Sequence, residues 1–372
     1  MRVTDVELTA LALPFERPYT TARGTLERRE MYLLRLRTDE GIEGLGEAVP
    51  LTLRHGADMR AVYRGLLKGT RRLKRADLSD FAGNEPFLAA VDAFVHSVAG
   101  RRMPGPAKAA IEMAIFDLAG KASGRPLHSL LGVEEASPVP CNATLIVGSP
   151  EEVAADAERW ASRGFRTFKL KLGGGGGGGG DVARVRAVRE ALGPQARIRV
   201  DANGSWSVEE ALGVLRMIEP LTIELAEQPV ADPRGMAQVT AATSIPVAAD
   251  ETVEDGKDAR RAASAAQCDL ATVKLAKTGG IGEANGIAAA LPIYLSSALD
   301  GPVGIAAAAH AAQALPFDGP AKGLAHGLAT QLLFSNTTAS RECELVDGSL
   351  RLPPGPGLGL EIDDEALASV RI

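Results

Sequence analysis

The sequence predicts an α/β protein: a (β/α)7-8 barrel of the TIM type behind an N-terminal α+β capping domain that the C-terminal segment completes. Three observations predict it. From residue 138 onward a short apolar run followed by a charged, alanine-rich helical pattern recurs at least seven times. The first 130 or so residues lack that rhythm and read as mixed strand and helix. The 372 residues also exceed one ordinary domain, at roughly 100–200 residues each.

The elements follow in order. Residues 31–38 alternate imperfectly and run into Asp39, Glu40 and Gly41, a turn signal, before 42–47 resume as the second arm of a hairpin. Segments 14–25 and 49–55 are expected as loops. Residues 85–122 keep a helical period, with Ala109, Ile111, Ala114, Ile115 and Leu118 on apolar faces. Strands are then predicted at 139–145, 167–172, 198–202, 223–227, 247–250, 270–274 and 293–297. Helices are predicted between and after them, at 150–163, 182–192, 207–218, 233–242, 256–265, 280–290 and 302–314. Such alternation implies a parallel sheet with right-handed crossovers, and seven units favour a closed barrel over an open sheet. Gly173 to Gly180 are consecutive glycines ending in Asp181 rather than Gly-Lys-Ser/Thr, so a flexible loop is expected there and not a phosphate cradle. Past residue 341 the rhythm stops, and strands and turns are expected to return to the first domain. The divisions are 1–130, 131–340 and 341–372.

Composition narrows the function. A net charge of −6 and a pI near 5.6 speak against a nucleic-acid partner, which needs a basic face. The cluster Arg71, Arg72, Lys74 and Arg75 reads as a solvated helix end. Cys141, Cys268 and Cys343 are odd in number and far apart, so neither a disulfide framework nor a CxxC pair is expected, and a reducing, cytoplasmic setting fits. No signal peptide and no membrane-spanning apolar run are read.

Barrel enzymes carry their chemistry at the C-terminal ends of the strands. Here the ends read Lys169-x-Lys171, Asp201-Ala202-Asn203, Glu227-Gln228-Pro229, Asp250-Glu251, Lys274-x-x-Lys277 and Ser296-Ser297. One Asp after a strand is ordinarily a helix N-cap. Three carboxylates on consecutive strand ends repel one another unless a cation neutralises them, and an all-oxygen set suits Mg²⁺ first and Mn²⁺ next. Asp201, Glu227 and Asp250 are therefore the expected metal ligands. Residues two apart on a strand share a face, so Lys169 and Lys171 both aim inward. A lysine base must be partly neutral, and Lys169, Lys274 and a metal are expected to push the pKa of Lys171 down.

Taken together these motifs, with Gly279-Gly280 and the early Gly44-x-Gly46-Glu47-Ala48-x-Pro50, resemble the muconate-lactonizing-enzyme subgroup of the enolase superfamily over nearly the whole chain. The resemblance implies Mg²⁺-dependent removal of a proton next to a carboxylate through an enediolate, with a small-molecule carboxylate as substrate and further copies of the chain in a homo-oligomer. It also implies Lys171 and Lys274 as the acid/base pair, Lys169 assisting, and Asn203 and Glu251 supporting the metal ligands. His310, inside a predicted helix, and His326, beyond it, are not placed as bases. Dipeptide epimerases of the subgroup carry an Asp-x-Asp for the substrate ammonium, whereas the matching stretch here reads His326-Gly327-Leu328-Ala329-Thr330. Ser296-Ser297-Ala298-Leu299-Asp300 resembles o-succinylbenzoate synthases. The first expectation is accordingly a syn-dehydration by a lyase, with cycloisomerase, dipeptide epimerase or N-acylamino acid racemase as alternatives. Ser296, Ser297, Asp300, Arg23, Arg54 and His55 are expected to bind substrate.

Overall fold

The computed structural model describes residues 1–54, 56–74, 76–78, 87–100, 102–173 and 177–372. The chain opens on an antiparallel sheet of β1 (Val3–Thr21), β2 (Gly24–Thr38) and β3 (Glu43–Ala48), in that order. The predicted 31–38 hairpin is the β2–β3 pair, with Gly41 turning at φ +75°. The loop expected at 14–25 is instead mostly strand, because β1 and β2 continue pairing up to a two-residue turn at Ala22 and Arg23. Helices α1 (Met59–Leu73), α2 (Phe87–Ala99) and α3 (Gly105–Ser123) follow. The single helical stretch read at 85–122 is two helices. Gly100, at φ +67°, lies just past the first, and Pro104 stands as N-cap of the second, where it loses no helical hydrogen bond. Helix α3 is buried over most of its length and lies on β3. Gly46 permits that approach, since a Cβ there would sit 1.9 Å from the Ala110 carbonyl oxygen.

After α4 (Leu127–Leu130), strands β4 (Val139–Pro140) and β5 (Asn142–Leu145) begin the alternation. It runs α5 (Pro150–Ser162), β6 (Thr167–Lys171), α6 (Gly177–Leu192), β7 (Arg197–Asp201), α7 (Val208–Ile218), β8 (Ile223–Glu227), α8 (Pro233–Ala242), β9 (Val247–Ala249), α9 (Gly256–Ser264), β10 (Leu270–Lys274), α10 (Leu275–Thr278), α11 (Ile281–Ala288), β11 (Ile293–Ser296) and α12 (Pro302–Ala314). Strands β5 to β11 form one parallel sheet in sequence order. Its two edges meet at residues 326–327. His326 bridges Cys141 and Gly327 bridges Ser296, both in parallel sense, so this strip occupies an eighth place and closes the ring. Local signals start the helices where expected: Ser149 with Glu152 and Ser207 with Glu210 form capping boxes, and Asp232 and Asp255 cap α8 and α9. The glycine tract departs from the flexible loop expected of it. Gly177 to Gly180 form the first turn of α6, and residues 174–176 lie outside the described residues. Asp181 fixes the tract's start, accepting from the Gly173 amide at 3.0 and 3.2 Å and from Trp206 Nε1 at 2.9 Å.

The tail contains β12 (Ala339–Arg341), β13 (Glu344–Val346), β14 (Ser349–Arg351), β15 (Glu361–Ile362) and α13 (Asp364–Ser369). β14 pairs with β4, and Arg371 bridges Leu11 of β1. No helix among the described residues is long and apolar enough to cross a membrane.

Two buried glutamates join the N-terminal layer to the barrel. Glu47 Oε1 accepts from the Gly301 amide at 2.7 Å, at the start of α12. Glu112, on α3, accepts from the Ile281 and Gly282 amides at 2.5 and 3.0 Å, at the start of α11. Both set a carboxyl group against a helix N-terminus. Burial nevertheless lifts Glu47 to about 8, with Asp300 adding to the rise, and lifts Glu112 to about 7. Between pH 4.5 and 8 the folded state then holds a proton at Glu47 that the unfolded chain has released, so rising pH costs stability across that window. The substitution Glu47→Gln is expected to remove this slope. Thermal melts from pH 5 to 8 should show the variant gaining on the wild type as pH rises; parallel curves would show that Glu47 does not titrate there.

Candidate active site

Strand alternation sorts the barrel interior into layers. Leu225, Ala248, Leu270 and Tyr294 pack together as an inner apolar layer with Ala321. Two residues further along their strands stand Glu227, Asp250 and Ser296, and the ends of β6, β7 and β10 add Lys171, Asp201 and Lys274. Register places Lys171 beside Asp201 and Asp201 beside Glu227. β6 and β10 lie four places apart in a ring of eight, so Lys171 and Lys274 stand on opposite sides.

The charges are buried and paired. Asp201, Glu227 and Asp250 are fully buried. Lys171 Nζ donates to Asp201 Oδ2 at 2.5 Å and to Asn203 Oδ1 at 3.3 Å. Lys169 Nζ donates to Glu227 Oε2 at 3.1 Å. Lys274 Nζ donates to Asp250 Oδ2 at 2.6 Å, and Lys277 Nζ to Asp250 Oδ1 at 3.1 Å and to its backbone oxygen at 2.5 Å. Burial alone would raise the Glu227 carboxyl, but Lys169, Lys274 and Lys171 outweigh it and hold the group well below the usual carboxylate range. Burial acts to lower Lys171, yet Asp201 first, with Tyr19 and Glu227, outweighs it and raises the pKa above its ordinary value. Lys169 is the lowered one, at about 8, chiefly through burial, with Lys171 and Lys274 adding to the drop.

Each carboxylate turns to neighbouring lysines, and no group of three or more His, Cys, Asp or Glu side chains among the described residues is already gathered to hold an ion. The residues nonetheless fit a hard divalent cation. The set is all-oxygen, on three neighbouring strands, and Glu227 Oε1 is buried with no hydrogen-bond partner among the described residues.

A cavity of about 640 Å³, mouth included, opens over this level. Lys169, Lys171, Lys274, Asn203, Ser296, Ser297 and Arg23 line it. Asn203, at φ +48°, donates its Nδ2 to Glu251 Oε1 at 3.3 Å. Arg23 sits at the tip of the β1–β2 hairpin and donates to the Asn203 carbonyl at 2.9 and 2.7 Å. Ser297 Oγ shares a hydrogen bond with Thr330. Asp300 does not reach the cavity, contrary to expectation. It is buried, accepting from the Ala298 amide at 2.7 Å, because a short acid in this turn closes onto its own backbone. Arg54 closes the short 3-10 turn Thr52–Arg54; its side chain and His55 lie outside the described residues.

Several lining groups escaped the sequence reading: Tyr19, Arg29, Thr144 and Thr330. Gln228 also went without a role. Its Oε1 accepts from the Asp250 amide at 2.7 Å and holds the end of β9 against β8. Its neighbourhood in Glu227-Gln228-Pro229 was the available signal. The two histidines are structural. His326 Nδ1 accepts from the Leu295 amide at 3.1 Å, His310 Nδ1 from the His128 amide at 3.1 Å, and burial lowers both to about 3.

Residues 152–366 match the family model described as enolase C-terminal domain-like. Residues 4–72 and 82–132 match that of the mandelate racemase / muconate lactonizing enzyme N-terminal domain. The chain is similar to an L-Ala-D/L-Glu epimerase of Bacillus subtilis, 33% identical over 97% of each chain. It is similar to an N-succinyl-L-Arg/Lys racemase of Bacillus cereus, 28% identical over 100% of this chain and 98% of that one. Among solved structures, a dipeptide epimerase from Cytophaga hutchinsonii complexed with Mg and the dipeptide D-Ala-L-Val superposes with a TM-score of 0.88, at 28% identity, covering 100% of this chain and 99% of that one.

Proposed function

Because the chain belongs to the mandelate racemase / muconate lactonizing enzyme family of the enolase superfamily, we propose that it is a Mg²⁺-dependent isomerase that moves a proton on and off the α-carbon of an N-acylated amino acid. The observation that carries this reading is the pair of lysines on opposite sides of one cavity, Lys171 on β6 and Lys274 on β10. A proton leaves from one face and returns to the other, so stereochemical inversion needs a base on each side. Asp201, Glu227 and Asp250 would hold a divalent cation, Mg²⁺ or Mn²⁺, which would supply positive charge to the substrate carboxylate as the α-proton leaves. Lys169, paired to Glu227, assists from beside Lys171. Asn203 steadies Lys171, and Glu251 steadies Asn203.

The substrate class follows from what surrounds the cavity. No carboxylate is among the described residues that line the cavity, and the stretch 326–330 lacks the Asp-x-Asp in which dipeptide epimerases resemble one another. A substrate ammonium has no counter-ion there. Arg23 and Arg29 favour an anionic acyl group instead. Dehydration to an o-succinylbenzoate is the second reading: Ser296 and Ser297 favour it, but the relatives are isomerases. One screen separates the two. With Mg²⁺, N-acylamino acids in D₂O are followed by NMR for α-proton exchange and by polarimetry for racemisation, beside an absorbance assay for dehydration. Racemisation with exchange is expected. Dehydration without racemisation would replace the first reading with the second.

A further inference from the structure

The inner layer of the barrel contains one phenol. Tyr294 is fully buried on β11, and its hydroxyl donates to Glu227 Oε2, the same oxygen that takes Lys169 Nζ. The other oxygen, Oε1, has no partner among the described residues. The carboxylate is thus divided: one oxygen is tied down by two donors, and the other is left with its lone pairs.

Tyr294 is itself held. The Arg199 guanidinium lies 4.9 Å from the ring centroid, a cation–π distance. Arg199 is fully buried; its Nε donates to Glu224 Oε2 at 2.5 Å and its Nη1 to the Ala325 carbonyl at 2.7 Å. The Ala325 contact reaches the strip that closes the ring. A chain of contacts therefore runs from Glu224 through Arg199 and Tyr294 to Glu227.

We propose that Tyr294 is a positioning residue: with Arg199 behind it, it holds Glu227 Oε2 so that Oε1 alone is presented to the divalent cation. Partners of this kind fix the rotamer of a metal-binding carboxylate, and their loss costs about 10–100-fold in metal affinity. This inference rests on the metal role proposed for Glu227, so that role is tested first. Mg²⁺ is titrated calorimetrically into metal-free wild type, Glu227→Gln and Tyr294→Phe, with circular dichroism to confirm folding. Wild type should bind, Glu227→Gln should not, and Tyr294→Phe should bind about 10–100-fold more weakly. A wild type that binds no Mg²⁺, or a Glu227→Gln that binds normally, would sink the metal site and this inference with it. Unchanged affinity in a folded Tyr294→Phe would overturn the inference alone.

A second measurement does not depend on that variant folding. Wild type grown on 3-fluorotyrosine carries four fluorine labels. Tyr19→Phe, Tyr32→Phe and Tyr63→Phe identify three lines and leave Tyr294 as the fourth. That line is expected to move on Mg²⁺ addition; a Tyr294 line that stays fixed while the metal binds would refute the contact's role.

Discussion

Replacing Lys171 with alanine, and separately Lys274 with alanine, is expected to stop racemisation in both directions, with kcat down by about 10²–10⁴-fold or more. The two variants should then part company. Each keeps one base on one face of the substrate, so each should still exchange the α-proton of one enantiomer with D₂O, and not the same enantiomer. The expectation comes from placement: β6 and β10 are four strands apart around the ring, and both ammonium groups reach the same cavity. Lys171→Ala is the sharper case. Its side chain is 2.5 Å from Asp201, so that substitution also leaves a fully buried carboxylate without its closest cation. NMR exchange on separate D and L substrates reads the result. Loss of exchange from the same enantiomer in both variants would mean one base serves both faces, and the two-lysine reading would fail.

Asp250→Ala should produce the largest loss of stability. Two buried ammonium groups, Lys274 and Lys277, converge on this one carboxylate. Removing one partner of a buried ion pair typically costs about 3–5 kcal/mol, since the remaining charge stays desolvated. Lys277 also donates to the carbonyls of Asp250, Val253 and Thr272, so it cannot swing out to water without unpicking the end of β9 and the start of α10. Urea unfolding should show a lower midpoint at an unchanged slope. A variant as stable as wild type would mean that the lysines find other partners at no cost. Asn in place of Asp250 should recover part of the stability, because an amide oxygen can still accept from Lys277, but it should not recover full Mg²⁺ affinity.

Much of the barrel was legible because its signals are local. The predicted strands at 223–227 and 270–274 and the predicted helices at 233–242 and 302–314 coincide with β8, β10, α8 and α12. There the apolar run, the capping residue and the helical period all agree. The reading failed where two signals competed. Residues 85–122 carry one apolar period across Gly100 and Pro104, and the period masked the break. The 14–25 segment carries Pro14 and Pro18, which suggested a loop, but pairing with β2 extends it as strand. The eighth place in the ring has no periodic run at all: it is a short strip at 326–327, visible only through its bridges to Cys141 and Ser296.

The candidate site divides in the same way. Lys169 and Lys171 on one face, and Asp201, Glu227 and Asp250 at successive strand ends, were available from the sequence alone, because side-chain direction along a strand repeats every two residues. So was the lack of an Asp-x-Asp in the stretch 326–330. Only the tertiary structure decided which oxygen meets which ammonium. The pKa of Lys171 rises because β6–β7 register sets it against Asp201 across 30 positions of chain. Contact also decided Asp300 and Tyr294: an acid near a strand end turned into its own loop, and a tyrosine on β11 reached the Glu227 carboxylate 67 positions away. Face and order are local properties of a strand. Contact between strands is set by register and packing, to which every neighbour in the ring contributes.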